Sequence, residues 1–415
     1  MASGAAVTPE LLAGFTLADA PPAFFDDPHP FFDALRTHDP VHALAAPGAP
    51  PSVLLTRYDD LLAVYRSRCA SSDKQREFGA KFGAGTPIHE HHTTSLVFND
   101  PPLHTRVRRI LMGALTQRAI TRMEAGVGAL VARLLDEMEN AAVSRAPDLV
   151  DDFAARIPVE VIGNLLDIPH EERAPLRAWS LAILSALEPA PGAALLDKAN
   201  AAVREFTAYL RELVAARARH PGDPEVDMLT RLMRGDAEGQ LSEAELLHNC
   251  IFLLNAGHET TTNLIANGVH ALATQRSQFE RLAAEPALIG SAVEELLRYE
   301  SPIQLNNRLT TAPLPISDRT LPEGVFVTLA IGAANRDPAA FEQPHRLDIA
   351  RKPNNHLAFG QGAHACSGMN VARMEARIAI AALVQRFPRL EVAGPPERDR
   401  RVRFRGFKRL PVRLH

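Results

Sequence analysis

Cysteine is scarce in this chain: its 415 residues include Cys69, Cys250 and Cys366 and no others. Three thiols so scattered exclude a disulfide framework and a thiolate zinc cluster. Aromatic residues make up only 6%, with the single tryptophan Trp179, so the core must be mostly aliphatic. Neither sign of charge is in surplus: 45 Lys and Arg against 49 Asp and Glu leave a net charge of -4. Composition therefore gives no reason to expect nucleic acid or an anionic membrane as partner. No segment has the roughly 18 charge-free apolar residues of a membrane span. The opening residues, MASGAAVTPELLAGF, lack the basic start and long apolar run of a secretory signal. A cytoplasmic protein is expected.

Linkers, internal repeats and low-complexity tracts are missing too, which favours one large domain over residues 1–415. What is abundant is Ala, Leu, Arg and Glu, the composition of a mainly α fold with ample core and a small β region.

Helical pattern begins around Phe31 to Arg36, after a proline-dotted start. A β-prone Ser52 to Thr56 and a helical Tyr58 to Tyr65 follow. From Ser67 to Asn99 the pattern fails, and so long a loop is expected to be functional. Lys74, Arg76 and Lys81 within it read as solvated surface charge. His89, His91 and His92 lack the carboxylate or thiol spacing of a metal site and read as a polar loop face. Residues 119 to 238 form amphipathic helices interrupted at Ala146 to Pro147, Ile157 to Pro158, Ile168 to Pro169 and Glu188 to Gly192. Trp179 reads as core or pocket wall.

A long helix starts at Ser242, where SEAE sets Glu245 three residues after a capping serine. It runs to about Gln275, on the order of 50 Å at 1.5 Å per residue. Its centre breaks the local rule: Asn255, Gly257, Glu259 and three consecutive threonines weaken a helix that burial would otherwise favour. Such a breach in a buried element points to function. A polar patch satisfied by helix carbonyls is the alternative. β pattern occupies Arg308 to Leu314 and Val325 to Ile331 around a Pro322-Glu323-Gly324 turn, and returns at Leu390 to Ala393 and Arg403 to Leu414.

Cys366 carries the sharpest signal. It stands between a glycine-dense loop and a helical run from Met369 to Val384. Backbone N–H groups at a helix start and close-approaching glycines favour a thiolate and suit it to bind a metal. A small buried apolar residue is the competing account. The pattern Phe359, Gly360, Gly362, His364, Cys366, Gly368, Ala372 and Arg373 resembles the haem-ligand loop of the cytochrome P-450 family, the haem-thiolate monooxygenases. Ser367, Asn370 and Val371 depart from it, standing where the family more often has apolar residues.

The resemblance extends along the chain. It makes Cys366 the thiolate ligand of haem b iron, donating electron density that favours O–O cleavage in O2. DPPLHTRVRR places His104 and Arg108 one turn apart, able to grip one carboxylate. With Arg308 and His364 they fall on the family's propionate-binding positions, although His104 and Arg108 alone would pass for an exposed helix face. AGHETT matches the family's oxygen-activation motif, with Glu259 and Thr260 on the acid and alcohol positions of a proton relay. Glu295 and Arg298 match its buried ion pair, with Arg346 expected to complete the network. Ile303 to Asn306 and Phe404 to Phe407 are expected to face the pocket.

The resemblance implies a single P-450-type domain with a long central helix over the haem, without a fused reductase. Electrons from NAD(P)H would arrive through a ferredoxin and its reductase, near Arg109 and Arg373. The substrate is expected to be a small hydrophobic or weakly acidic organic molecule. The resemblance, in which the Ser67 to Asn99 loop roofs the substrate pocket, makes Lys74, Arg76 and Lys81 candidate anchors for an anionic one, with solvated surface charge the favoured account of the three. A haem-thiolate peroxygenase or isomerase and a non-catalytic haem ligand sensor are the rivals, and Glu259 with Thr260 argues against them.

Overall fold

Ser242 starts the longest helix from both directions: its hydroxyl accepts from the Glu245 backbone N–H at 3.2 Å, and its own N–H donates to the Glu245 carboxylate at 2.8 Å. This geometry comes from a computed structural model that describes residues 7, 12, 14–44, 50–224, 227–237, 239–317 and 319–415. In chain order the principal helices are α1 (Tyr58–Arg66), α2 (Pro87–Thr94), α3 (Leu103–Ala114), α4 (Gln117–Ala141), α5 (Arg156–Leu165), α6 (Leu176–Ser185), α7 (Ala193–Arg219), α8 (Glu243–Thr274), α9 (Ile289–Tyr299) and α10 (Met369–Arg386). Helix α8 matches its expected span, because the capping box fixes its start and apolar burial outweighs the three threonines. No helix among the described residues is long and apolar enough to cross a membrane.

The described residues group into two compact units, each assembled from separated stretches of chain. The first draws on Met1–Ser72, Asn267–Ala365 and Pro396–Lys408. It holds the mixed sheet of β1 (Val41–Ala43), β2 (Ser52–Leu55), β3 (Ala70–Ser71), β4 (Leu305–Thr310) and β5 (Phe326–Ala330), in the order β1-β2-β5-β4-β3. β2 and β5 run parallel, with Ser52 opposite Phe326 and Leu55 opposite Leu329, and the other pairs are antiparallel. Side chains alternate across a strand, and both faces here are covered. Leu55 packs with Leu61, Val64, Val327 and Leu329, whereas Leu54 packs with Phe31, Phe32, Leu35 and Leu305. Ile303 and Phe404 form an antiparallel bridge, which lays the two pocket-assigned stretches side by side.

The second unit comprises Asp73–Ala266, Cys366–Pro395 and Arg409–His415 and is mostly helical. Helix α6 packs on α7 and α10 on α4. Trp179 stacks on Phe206 with ring centroids 4.9 Å apart and donates its indole N–H to Glu205 at 2.8 Å. It serves packing, as its sequence context suggests. Pro158 lies inside α5 and does not interrupt it. It sits in the first turn, where a missing N–H removes no helical hydrogen bond.

The stretch expected to be patternless is also more ordered than its sequence suggests. Between Ser67 and Asn99 the chain forms β3, a helical turn Gln75–Phe78, a π turn Gly79–Gly83, α2 and a 3-10 turn Leu96–Phe98. Thr86 caps α2 by accepting from the His89 N–H, and Pro87 occupies its first turn. Buried Phe78, Phe82 and His92 cluster with Phe98. Elements this short show no period of their own, so their packing decides them.

Candidate functional site

Gly360 and Gly362 shape the approach to Cys366. Both take positive φ, +63° and +73°, which glycine adopts without strain. A Cβ on Gly362 would stand 2.5 Å from the Tyr65 carbonyl oxygen. The loop then makes a short 3-10 turn, Gly362–His364, and reaches Cys366 three residues before α10 begins. Around the sulfur, burial raises the thiol pKa, while the Gly368 N–H and the charges of Arg108 and Arg373 pull it down. The helix-start amide acts in the expected direction, but desolvation outweighs it, so a coordinated metal would have to complete the deprotonation. Cys250, fully buried in α8, has its thiol pushed up to about 12 by burial alone, and Cys69 lies partly exposed.

Helix α3 presents Arg108 to this loop. Its guanidinium donates to the Ser367 hydroxyl at 2.8 Å, and burial lowers its pKa against the opposing pull of Cys366. Ser367, which breaks the family pattern, is thus a partner for Arg108, a role its sequence position alone did not disclose. His104 is buried on the same helix. Arg109 instead forms a two-point ion pair with Asp236, at 2.7 and 3.0 Å.

The middle of α8 carries Glu259 and Thr260. Along this largely buried helix Phe252, Leu253, Ala256, Gly257 and Thr260 keep exposure. Their spacing of one, three and four residues places them on one accessible strip, with Phe252, Ala256 and Thr260 on successive turns of it. The Thr260 hydroxyl donates to the Ala256 carbonyl at 2.6 Å. Buried Glu259 accepts from the Asn263 amide at 3.2 Å. Acid and alcohol are therefore neighbours in sequence that bond along the helix, the acid one turn toward its C-terminus and the alcohol one turn toward its N-terminus.

The residues between Ser67 and Asn99 are more committed than expected. Buried Lys74 pairs with Glu77 at 2.8 Å, and Lys81 donates to the Glu188 carbonyl at 2.6 Å, whereas Arg76 is exposed. His91 and His92 are buried and not part of a polar face, because α2 turns them inward. His91 meets Asn255 at 3.3 Å, and its pKa is held well below the usual range by burial and by the charges of His92 and His248. Among the described residues no three His, Cys, Asp or Glu side chains gather to hold a metal ion.

In the first unit Arg308 is buried on β4, donating to Asn306 and Asn307, with its guanidinium 5.5 Å from the centre of the Tyr65 ring. His364 is half-buried in its 3-10 turn. Glu295 and Arg298 on α9 form a fully buried two-point pair, both contacts at 2.8 Å. The arginine that completes the network is Arg351, which reaches both Glu295 oxygens at 3.1 and 3.0 Å. Arg346, expected there, is exposed and contributes its backbone carbonyl to Arg298 and Arg351. The turn after Leu347 brings the later side chain back over α9, a reversal invisible in a linear pattern.

Residues 180–407 match the Cytochrome P450 family model. The chain belongs to the cytochrome P450 family. It is 35% identical over 403 residues to the biotin biosynthesis cytochrome P450 of Bacillus subtilis (strain 168), covering 94% of this chain and 96% of that protein. It is 37% identical to the vitamin D(3) 25-hydroxylase of Pseudonocardia autotrophica, covering 94% of each. Its fold matches P450BioI, solved with an acyl carrier protein ligated to hexadec-9Z-enoic acid, at a TM-score of 0.88 and 34% identity over 95% of this chain and 100% of that one.

This P450 is accordingly a monooxygenase that uses haem b, O2 and electrons originating from NAD(P)H. The residues present fit that cofactor: a soft thiol donor stands at a helix start behind two positive-φ glycines, and cationic side chains that suit carboxylates accompany it.

Glu375 on α10 has no signal in the sequence beyond closing the Cys366 stretch. It is buried, its Oε2 meets no hydrogen-bond partner, and burial pushes its carboxyl up to about 8 from 4.5. The folded P450 thus holds a proton there at neutral pH that the unfolded chain releases. Stability should fall as pH rises from about 4.5 to about 8, by at most about 1.4 kcal/mol per pH unit from this group. Denaturant midpoints across that window should fall less steeply in Glu375→Gln, and an unchanged slope would contradict the assignment.

Proposed function

We propose that this P450 inserts one atom of O2 into a C–H bond or alkene of a small hydrophobic or weakly acidic molecule. Residues 1–415 would act as one catalytic domain in the cytoplasm, with electrons from a ferredoxin and its NAD(P)H-dependent reductase. The observation that carries this reading is the accessible strip of Phe252, Ala256 and Thr260 on a buried helix, with buried Glu259 beside it. A haem sensor or an isomerase has no use for an acid and an alcohol at that place.

Bound haem supplies oxygen activation and transfer of the oxygen atom. Cys366 Sγ would hold the iron, and the Gly368 N–H directed at that sulfur would temper its basicity. His104, Arg108, Arg308 and His364 would hold the carboxylates, with Arg108 braced by Ser367. Thr260 already donates its proton to Ala256, so its oxygen is oriented to accept a hydrogen bond from the reacting side and keep a proton donor in place. Consecutive helical residues point about 100° apart, so Glu259 would pass a proton toward Thr260 through a bridging water.

For electron entry, Arg109, which pairs with Asp236, and Arg373, whose charge acts on Cys366, are the docking candidates. The relatives' names span biotin biosynthesis and vitamin D(3) hydroxylation, so the substrate is best sought by screening for the spectral shift that accompanies loss of haem-bound water.

Thr260→Ala tests the relay. It should keep haem and substrate affinity while product formation falls on the order of 100-fold and NADH consumption diverts to hydrogen peroxide. Wild-type coupling in that variant would refute the role of Thr260. Substrate turnover driven only by added peroxide, with no NADH consumed through redox partners, would favour the peroxygenase.

A further inference from the structure

Tyr65, at the end of α1, has a buried hydroxyl that makes no well-formed hydrogen bond, and the Asn306 amide beside it acts as a donor toward the phenol oxygen, not as an acceptor for its proton. The residue is only 7% exposed. Leaving a buried O–H proton without an acceptor is costly, so the functional state should offer it one.

The surroundings indicate which kind. The Arg308 guanidinium lies 5.5 Å from the ring centre. Gly360 leaves open the space beside the phenol, since a Cβ there would stand 3.8 Å from the ring and 3.9 Å from the hydroxyl. The Tyr65 backbone carbonyl excludes any side chain at Gly362, two residues before His364. Burial raises the phenol pKa despite the opposing effects of Arg308 and Asn306, so the group remains an O–H donor at neutral pH. A donor beside a guanidinium suits an anionic acceptor.

We propose that the Tyr65 hydroxyl donates a hydrogen bond to a haem propionate held by Arg308. This rests on the haem-binding reading and adds a contact from α1 to the cofactor-holding set. Tyr65 would act as a cofactor-binding residue, with no part in proton delivery.

Tyr65→Phe removes only the hydroxyl and keeps the ring against Gly360 and Arg308. In the haem-loaded variant one propionate bending band in the resonance Raman spectrum should shift, and transfer of haem to apomyoglobin should quicken by about tenfold, as expected for one lost hydrogen bond to a charged group. The carbon monoxide absorption, which reports Cys366, should stay in place. When both proteins are loaded with haem dimethyl ester, whose carboxylates are blocked, the difference in release rate should vanish. Unchanged bands with unchanged release would overturn the proposal, as would faster release that persists with the ester, which would mean that the hydroxyl acts through packing. Absence of the thiolate-type carbon monoxide band in the unsubstituted protein would instead refute the haem reading, and this contact with it.

Discussion

Replacing Cys366 with serine should abolish the red-shifted carbon monoxide absorption of the reduced protein, and monooxygenase activity with it, while Cys69→Ser and Cys250→Ser retain both. The three thiols differ in surroundings more than in chemistry. Cys250 is enclosed within α8, where burial alone pushes its thiol up to about 12, and a group so desolvated stays protonated and inert. Cys69 lacks a helix start beside it. Only Cys366 combines a backbone N–H directed at sulfur, two nearby arginine charges and two glycines in positive φ that open the approach. Serine preserves the shape, but its hydroxyl ionises far less readily and is a harder ligand, so the electron donation behind the spectral band is lost. Retention of the band in Cys366→Ser would eliminate Cys366 as the ligand.

The second large effect is expected at Arg298. Its guanidinium is fully buried and spends all five N–H donors: two on Glu295 and three on the carbonyls of Asn335, Pro344 and Arg346. Glu295 in turn accepts from Arg351, the Asp348 backbone N–H and Asn354. Arg298→Met would take from Glu295 the partner that is buried with it, leaving Arg351 as its cation, and would remove the Arg298 donors from the carbonyls of Asn335, Pro344 and Arg346. We expect a loss of roughly 3–5 kcal/mol, read as a lower denaturation midpoint and reduced haem content. Arg298→Lys should recover little, because one ammonium cannot reproduce a planar five-donor fork. Arg346→Ala is the control: its side chain is exposed and reaches Gln343, while its useful carbonyl belongs to the backbone. A near-neutral Arg298→Met, or an Arg346→Ala as damaging as Arg298→Met, would contradict this arrangement.

The sequence by itself determined the features that depend on near neighbours. The Ser242 and Glu245 capping box set the start of α8, the apolar period set its length, and the Glu295–Arg298 pair follows from i, i+3 spacing on α9. The glycines before Cys366 and the helix after it were equally legible, because backbone conformation and helix-start amides are local properties. Fold class and family followed from those motifs in their order.

Tertiary structure decided what depends on residues far apart along the chain. Arg108 meets Ser367 across 259 positions, and Arg351 displaces Arg346 because a turn, which has no period, returns it to α9. Lys74 is charged by composition yet buried against Glu77, and His91 and His92 face inward, because the short elements between Ser67 and Asn99 are ordered by packing. Glu259 and Thr260 were identifiable as a pair, but their separate hydrogen bonds to Asn263 and Ala256 were not. The buried carboxyl of Glu375 and the buried hydroxyl of Tyr65 likewise carry no sequence signal. Burial is a property of everything packed around a residue, and a single chain position does not encode it.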